Sequence, residues 1–426
     1  MNLPRKRIAI IGSGISGLTS AYFLSRKHEV VLFEAAGYLG GHTNTVDVTL
    51  EGHTHGVDTG FLVYNERTYP NLVALFDELD VASNASDMSF GVSMDDGALE
   101  WAGTSLATVF AQLANLGSPS FLRMLWDLLH FNRNAERFLQ LSSRDDLTLG
   151  QLLQQQRYGA RFRDAYLLPM AAAIWSSSPN DILKFPAATF LRFCLNHALL
   201  QVNDRPQWRT VAGGARHYVQ KIAAKLPDCR LNTPVRAVLR EGGKLMVSTA
   251  AGTEAFDDVV FATHAPTTLS LLLNAGEAER AILGGVRYQP NTAYLHTDAS
   301  LMPRRRKVWA AWNYLAGAQS AGQRPVCVSY WLNQLQALPF ATPVIVTLNP
   351  YTPPAAGTLL ARFEYDHPIM DQATVRAQQQ LAQIQGNDGV WYAGAWTGYG
   401  FHEDGLKSAL RIAEAFDAAP AWTTLP

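Results

Sequence analysis

The chain opens with a short apolar run, Ile8 to Ile11, that leads straight into Gly12-Ser13-Gly14-Ile15-Ser16-Gly17. Leu18, Ala21, Tyr22 and Leu24 then share one helical face, and a second apolar run, Val30 to Phe33, ends at Glu34. Strand, glycine loop, helix and strand in that order predict a βαβ unit. TVDVTLEGHTH (45–55) alternates Val46, Val48 and Leu50 and turns at Glu51-Gly52, which predicts a hairpin carrying His53 and His55. From about 66 to 205 the pattern is mostly helical. Leu72, Leu75, Phe76 and Leu79 mark one amphipathic helix, and residues 105–139 predict two helices broken at Gly117-Ser118-Pro119. Further helices are predicted over 166–179 and 182–200, with Pro169, Pro179 and Pro186 as breaks. Between about 280 and 370, five strand-like runs predict an antiparallel sheet rich in Trp309, Trp312, Tyr314, Tyr330 and Trp331. A strand, Val390 to Ala393, and a helix after Glu403-Asp404-Gly405 close the chain.

The opening unit has the parts needed to grip a dinucleotide. Gly12 permits the tight turn, Gly14 lets the backbone approach a pyrophosphate, and Gly17 lets helix and strand pack closely. The helix start offers free N–H groups to phosphate, and Glu34 can accept hydrogen bonds from the adenosine ribose. The second glycine pair, Gly40-Gly41, followed by His42-Thr43, lets the backbone lie along a longer ligand, as the ribityl and diphosphate of FAD require.

Composition narrows the field. The 426 residues suffice for two domains, and 35 basic against 36 acidic residues give no electrostatic footprint for nucleic acid. Cys194, Cys229 and Cys327 lack metal-ligand spacing, so no metal site and a reducing compartment are expected. The basic residues before the run at 8–11 mimic a signal peptide, but Gly12 interrupts it and no run reaches 18 apolar residues. A cytoplasmic location is expected. The stretch 121–131 carries Phe121, Leu122, Leu125, Trp126, Leu128, Leu129 and Phe131. It reads as domain core or as a face for peripheral contact with the inner face of a membrane or with a lipid tail. Arg304 to Lys307 reads as a solvated turn or a headgroup contact.

With Gly40 to Thr43 in place, the opening resembles the FAD-binding segment of the flavin amine oxidase, protoporphyrinogen oxidase and phytoene desaturase superfamily. In that superfamily arginine follows the paired glycines; here His42 does. The resemblance implies a cofactor site running from Gly12 through Glu34-Ala35 to Thr43, with Gly60, Phe61 and Leu62 beside the flavin ring. It also implies that Val235, two places after Thr233, meets adenine, and that Ala262 ends a strand before an Ala-Thr-x-x-Pro turn. Gly394-Ala395 and Asp404-Gly405-Leu406 would complete the site at the flavin edge, with Ala395 where relatives often carry an acid. The closing loop holds no cysteine, so FAD is expected to be non-covalent. The fold implied is α/β, with a discontinuous Rossmann-like FAD domain from 1–65, 207–275 and 384–426. An α+β substrate domain, a helical cap plus the antiparallel sheet, takes 66–206 and 276–383.

His402 stands where amine oxidases carry an aromatic residue over the flavin, and a histidine there can move a proton near pH 7. It is the expected catalytic side chain, with Trp396 and Tyr399 as pocket walls. NHALL (196–200), HPIMD (367–371) and GYGFHEDGLKSAL (398–410) are similar to bacterial predicted NAD/FAD-binding proteins. These resemble the flavin domain fused in front of plant cyclopropane fatty acid synthases. That likeness implies a modified fatty acyl substrate and a fatty-acid-modifying methyltransferase as partner. The leading expectation is an FAD-dependent oxidoreductase of oxidase or desaturase type, taking a hydride from a hydrophobic or lipid substrate onto flavin N5. A redox-neutral isomerase or mutase, and a non-catalytic flavin-bearing partner of a lipid methyltransferase, are the alternatives.

Overall fold

In the computed structural model, which describes residues 4–175, 178–201, 205–317 and 326–425, the first apolar run is the middle strand of a five-stranded parallel sheet. Residues 176–177 and 325, at the edges of runs predicted helical and extended, lie outside the described residues. The sheet order is Cys229–Arg230, Glu29–Phe33, Arg7–Ile11, Asp258–Phe261, Val390–Tyr392. Ile8, Ile10, Val30 and Leu32 pack on one face, while Ala9, Ile11, Val31 and Phe33 pack on the other. Burial on both faces explains why these strands read as continuous apolar runs rather than alternations.

Gly12 turns the chain with φ +97°, and a β-carbon there would stand 2.9 Å from the Ala262 carbonyl oxygen. At Gly17, on the helix Ile15–Leu24, a β-carbon would run into the carbonyl oxygen of Gly12. Both glycines are required by close approach, as the spacing predicts.

The second sheet has seven strands, in the order Leu359–Pro368, Tyr288–His296, Ile345–Leu348, Val326–Trp331, Trp312–Ala316, Phe90–Met94, Leu99–Ala102. Every pairing is antiparallel except Trp312–Ala316 with Phe90–Met94. The last two strands, and Ser83–Ser86 beside Trp208–Val211, correct the expectation of a mostly helical stretch from 66 to 205. Phe90–Met94 and Leu99–Ala102 are buried along almost their whole length, so no period-2 alternation marks them. The turn Asp95-Asp96-Gly97, all at positive φ, was the available signal. Residues 106–117 also depart from the expected long helix, forming only a turn at Leu106–Val109 and a 3-10 segment at Leu113–Gly117. The helix Pro119–Arg133 begins at the expected break, with Pro119 in its first turn and the Ser118 hydroxyl accepting from Phe121 N–H.

Helices of the cap pack over this sheet, burying Phe121, Met124, Phe131, Phe138 and Phe190 with Val92, Trp101 and Tyr314. The basic run Arg304–Lys307 is a largely exposed turn, as expected, but two of its residues are engaged. Arg305 pairs with the buried Glu100 at 2.8 Å, and the Arg306 guanidinium lies 3.6 Å and 4.6 Å from the Trp309 and Trp331 ring centres. Two more buried carboxylates tie distant segments together. Asp58 accepts from Thr45 Oγ1 at 2.5 Å, Ala215 N at 2.9 Å and Gln336 Nε2 at 2.8 Å. Glu403 accepts from Asn71 Nδ2 at 2.6 Å and Leu72 N at 3.0 Å, holding the start of the helix Pro70–Glu78.

Gly17→Ala is expected to lower unfolding stability by about 3 kcal/mol, because the clash is with backbone. Gly52→Ala, at an open hairpin turn with φ +79°, should cost only ~1 kcal/mol. Urea unfolding of the two variants side by side checks the contrast.

Candidate active site

The parallel sheet ends at a cradle built from the loop after its first strand. Ser13 N–H and its hydroxyl both donate to Glu34 Oε2, at 2.9 and 2.6 Å, and Ala36 N–H donates to Glu34 Oε1 at 2.8 Å. The loop Gly12–Gly14 is thus fixed to the end of the second strand. Thr233 N–H donates to the Glu34 carbonyl at 2.8 Å, which brings the Val235 segment alongside. Gly41 follows closely: a β-carbon on it would stand 3.1 Å from Gly14 Cα. Around the Gly14 position itself the space is open, with nothing within 4 Å of where a β-carbon would sit. That is the opening a diphosphate needs at a helix start.

Beyond the cradle lies a cavity of about 1240 Å³. Ligand pockets usually span about 300–1,000 Å³, so this one has room for more than a single small ligand. Its cofactor end is walled by Gly14, Ile15, Ser16, Gly40 and His42, by Gly60, Phe61 and Leu62, and by Ala262, Gly394, Ala395 and His402. Segments from the start, middle and end of the chain meet there. The other predicted cofactor residues stand behind that wall. Gly12, Ser13, Gly17, Glu34 and Gly41 shape the loop; Ala35 is exposed, while Val235 and Leu406 are buried in core. Asp404 caps the last helix by accepting from Phe401 N–H at 3.0 Å, and burial raises its carboxyl to about 6. Gly405 lets that helix, His402–Ala415, pack on the first, since a β-carbon would stand 2.7 Å from Ile15 Cγ2.

His402 lies face to face with Phe61, with ring centres 3.6 Å apart and planes 17° from parallel. Its Nε2 is 2.9 Å from Thr43 Oγ1 and 3.2 Å from Tyr218 OH, and those two hydroxyls are 2.5 Å apart. Desolvation pulls its pKa down to about 3, so the ring is neutral over the ordinary working range. Sequence reasoning missed Tyr218, whose place on an amphipathic helix reads as plain core. It also missed the ring cluster about His42. Tyr365, His367 and His264 lie 4.9, 5.5 and 6.3 Å from it, centre to centre. Burial pulls His42 well below its usual value, and His367 down to about 4. Where a charged arginine was the expectation of likeness, the chain places neutral imidazoles.

The rest of the cavity is an apolar limb between cap and seven-stranded sheet. Val109, Phe110, Leu125 and Leu128 face it from the cap, and Trp312 and Tyr330 from the sheet. Of the other sheet aromatics, Tyr314 is buried under the cap and Trp309 and Trp331 hold Arg306. Trp396 and Tyr399 both line the cavity.

A glycine cradle at a helix start, a carboxylate ending the second strand and a closing helix aimed at one chamber define a dinucleotide-binding oxidoreductase. Residues 15–309 match the family described as flavin containing amine oxidoreductase, and the chain belongs to that family. It is an FAD-dependent enzyme. The residues fit FAD: the cradle opens onto the chamber, and beside it His42 Nε2 and Trp396 Nε1 are buried with no protein partner among the described residues. One stretch of 48 residues is 46% identical to L-amino acid oxidase from Cerastes cerastes, spanning 11% of this chain and only 9% of that protein. The fold is similar to the CLA-producing fatty acid isomerase from P. acnes, with TM-score 0.69 and 14% identity over 96% of this chain and 98% of that one. It is equally similar to cyclohexylamine oxidase from Brevibacterium oxydans, with TM-score 0.68 and 16% identity over 97% of this chain and 100% of that one. At such identities the likeness is one of fold. No described helix is long and apolar enough to cross a membrane.

Glu34→Ala removes the anchor of the loop Gly12–Gly14. FAD affinity of the apoprotein, read by flavin fluorescence titration, is expected to fall about 30-fold, the equivalent of ~2 kcal/mol. An unchanged affinity would mean that the cradle is held by the glycines alone.

Proposed function

We propose that this enzyme oxidises a long hydrophobic acyl chain, for which bound FAD supplies the two-electron acceptor. The observation that carries the reading is the apolar limb, which is continuous with the cofactor chamber and long enough to be lined by both cap and sheet. Among the described residues, two acidic side chains line the cavity. Asp87 accepts from Ser89 N and Gln334 Nε2, both at 2.6 Å, and Asp366 lies 4.0 Å from His264 at the cofactor end. Among the described lining residues a cationic amine would meet only Asp366, at the exposed rim, whereas an alkyl chain gains about 25 cal/mol for each Å² it buries along the limb. The fold likeness to a fatty acid isomerase agrees with this substrate class, and keeps a redox-neutral reaction as the second reading.

Anaerobic mixing of the holoenzyme with unsaturated and methyl-branched fatty acyl substrates is expected to bleach the oxidised flavin band and leave it bleached until an acceptor is admitted. Product formed with the band unchanged would replace oxidation by isomerisation. Bleaching by putrescine or cyclohexylamine, with none by acyl chains, would sink the acyl reading.

Within this reading His402 is a positioning residue rather than the proton carrier expected from sequence. Its ring braces Phe61, and its Nε2 is engaged by Thr43 and Tyr218. A base whose pKa stands near 3 stays deprotonated from pH 5 upward and contributes no acid limb to a rate profile. His402→Asn is expected to keep the pH profile of kcat unchanged in shape while raising KM or weakening flavin binding by ~10-fold. Loss of an acid limb in the variant would return the proton-transfer role to His402.

A further inference from the structure

Half of the exposed apolar surface residues are gathered at one place. Of the twelve large hydrophobic side chains exposed among the described residues, six fall between 106 and 129. They are Leu106, Leu113, Leu116, Leu122, Trp126 and Leu129, with exposures between 44% and 79%. Leu106 and Leu129 also line the cavity, so the mouth of the apolar limb opens through this patch.

The helix Pro119–Arg133 carries apolar side chains on three sides, each with a different neighbour, and a polar side of Arg123, Asp127 and His130. Phe121, Met124 and Phe131 enter the core, Leu125 and Leu128 face the limb, and Leu122, Trp126 and Leu129 face outward. A contiguous apolar patch left outward on a helix whose core face is already filled marks a surface for lipid or a partner. The charges agree. Between 104 and 133 the one acid is Asp127, which is buried and takes both Arg123 Nε at 2.9 Å and Gly159 N–H at 3.2 Å. Arg133 is exposed near the end of the helix, and Arg161 reaches its start by donating to Ser120 Oγ at 3.0 Å. Trp126 stacks on His130 with ring centres 5.0 Å apart and lies 4.7 Å from the Arg123 guanidinium. An indole beside a guanidinium above an apolar belt suits the boundary between headgroups and acyl chains.

We propose that this face docks on the surface of an anionic phospholipid bilayer, with residues 106–129 seated among the acyl chains. The inference rests on the acyl-chain reading of the cavity: seated there, the mouth receives a chain from the bilayer without exposing it to water. A protein partner covering the same patch would close the mouth. The bilayer leaves it open to its substrate.

The test uses holoenzyme and flotation with vesicles, so it does not depend on turnover. Vesicles of phosphatidylcholine with one fifth phosphatidylglycerol are compared with pure phosphatidylcholine. The wild type is expected to float with the anionic vesicles and several-fold less with the neutral ones. The triple variant Leu113→Gln, Leu116→Gln, Trp126→Gln touches no cavity wall and should retain flavin absorbance. It should lose partitioning by roughly 100-fold. Arg133→Glu with Arg161→Glu should lose only the preference for anionic lipid. A wild type that stays with neither vesicle overturns docking while leaving the acyl oxidation assay untouched. So does an unaltered triple variant, or a wild-type dimer in sedimentation that the triple variant dissolves, which would make a second copy the cover of this face.

Discussion

Close approach of backbone to backbone at the glycines is the constraint on which the cofactor half depends. Gly17 allows the first helix to lie against the Gly12 turn, Gly41 brings the next loop onto Gly14, and Gly405 sets the last helix onto Ile15. A β-carbon at any of these positions would push a helix start away from the sheet. With all three, the free N–H groups and positive dipole ends of two helices converge on one chamber. The convergence joins residues almost four hundred apart in sequence, which is why the cofactor site is discontinuous and yet compact.

Buried carboxylates then hold the two halves in register around the cavity. Asp58 links the hairpin at 45–58, the helix start at Ala215 and Gln336 of the substrate half. Glu403 links the last helix to Asn71 and Leu72. At Asp58 two effects oppose one another: its donors favour the carboxylate, while desolvation pushes its pKa up to about 7. Such a group is weak evidence for net stability, since burying it is costly, but removing one donor leaves a buried acceptor unsatisfied and costs about 1–3 kcal/mol. Its effect is geometric. It fixes where Thr59, Gly60 and Phe61 enter the chamber relative to the seven-stranded sheet.

How much of this is legible in the sequence follows from what each residue does locally. The glycine loop, Glu34, the break at Pro119 and the closing helix each carry a signal within a few positions, and each lands where that signal puts it. The strands Phe90–Met94 and Leu99–Ala102 do not, because burial on both faces erases the alternation that would reveal them. His402 is legible as a position but not as a chemistry. Its pKa is lowered by burial, and the residues that surround it, Phe61, Thr43 and Tyr218, approach from segments 184 to 359 residues distant in sequence. Tyr218 and the rings around His42 are invisible for the same reason: their meaning lies in contacts made by the fold. The apolar stretch 121–131 offered core and lipid as alternatives, and the helix uses its sides for core, cavity and exterior at once.

A single physical condition links the cofactor chamber to the apolar limb: both are walled mainly by apolar side chains. His42, His367 and His402 are all held neutral by desolvation, and Asp404 is pushed up to about 6. These shifts would be small in a wet cleft. Desolvation also strengthens each remaining dipole, because a partial charge acts further in a medium of low polarity. The N-terminus of the helix His402–Ala415, capped by Asp404 and stacked through Phe61, is therefore a stronger electrostatic feature here than it would be at a surface. The aromatic sheet and the leucine-lined cap that wall the limb also desolvate the chamber beside it, so the shape and the polarity of the cavity are set by one set of side chains.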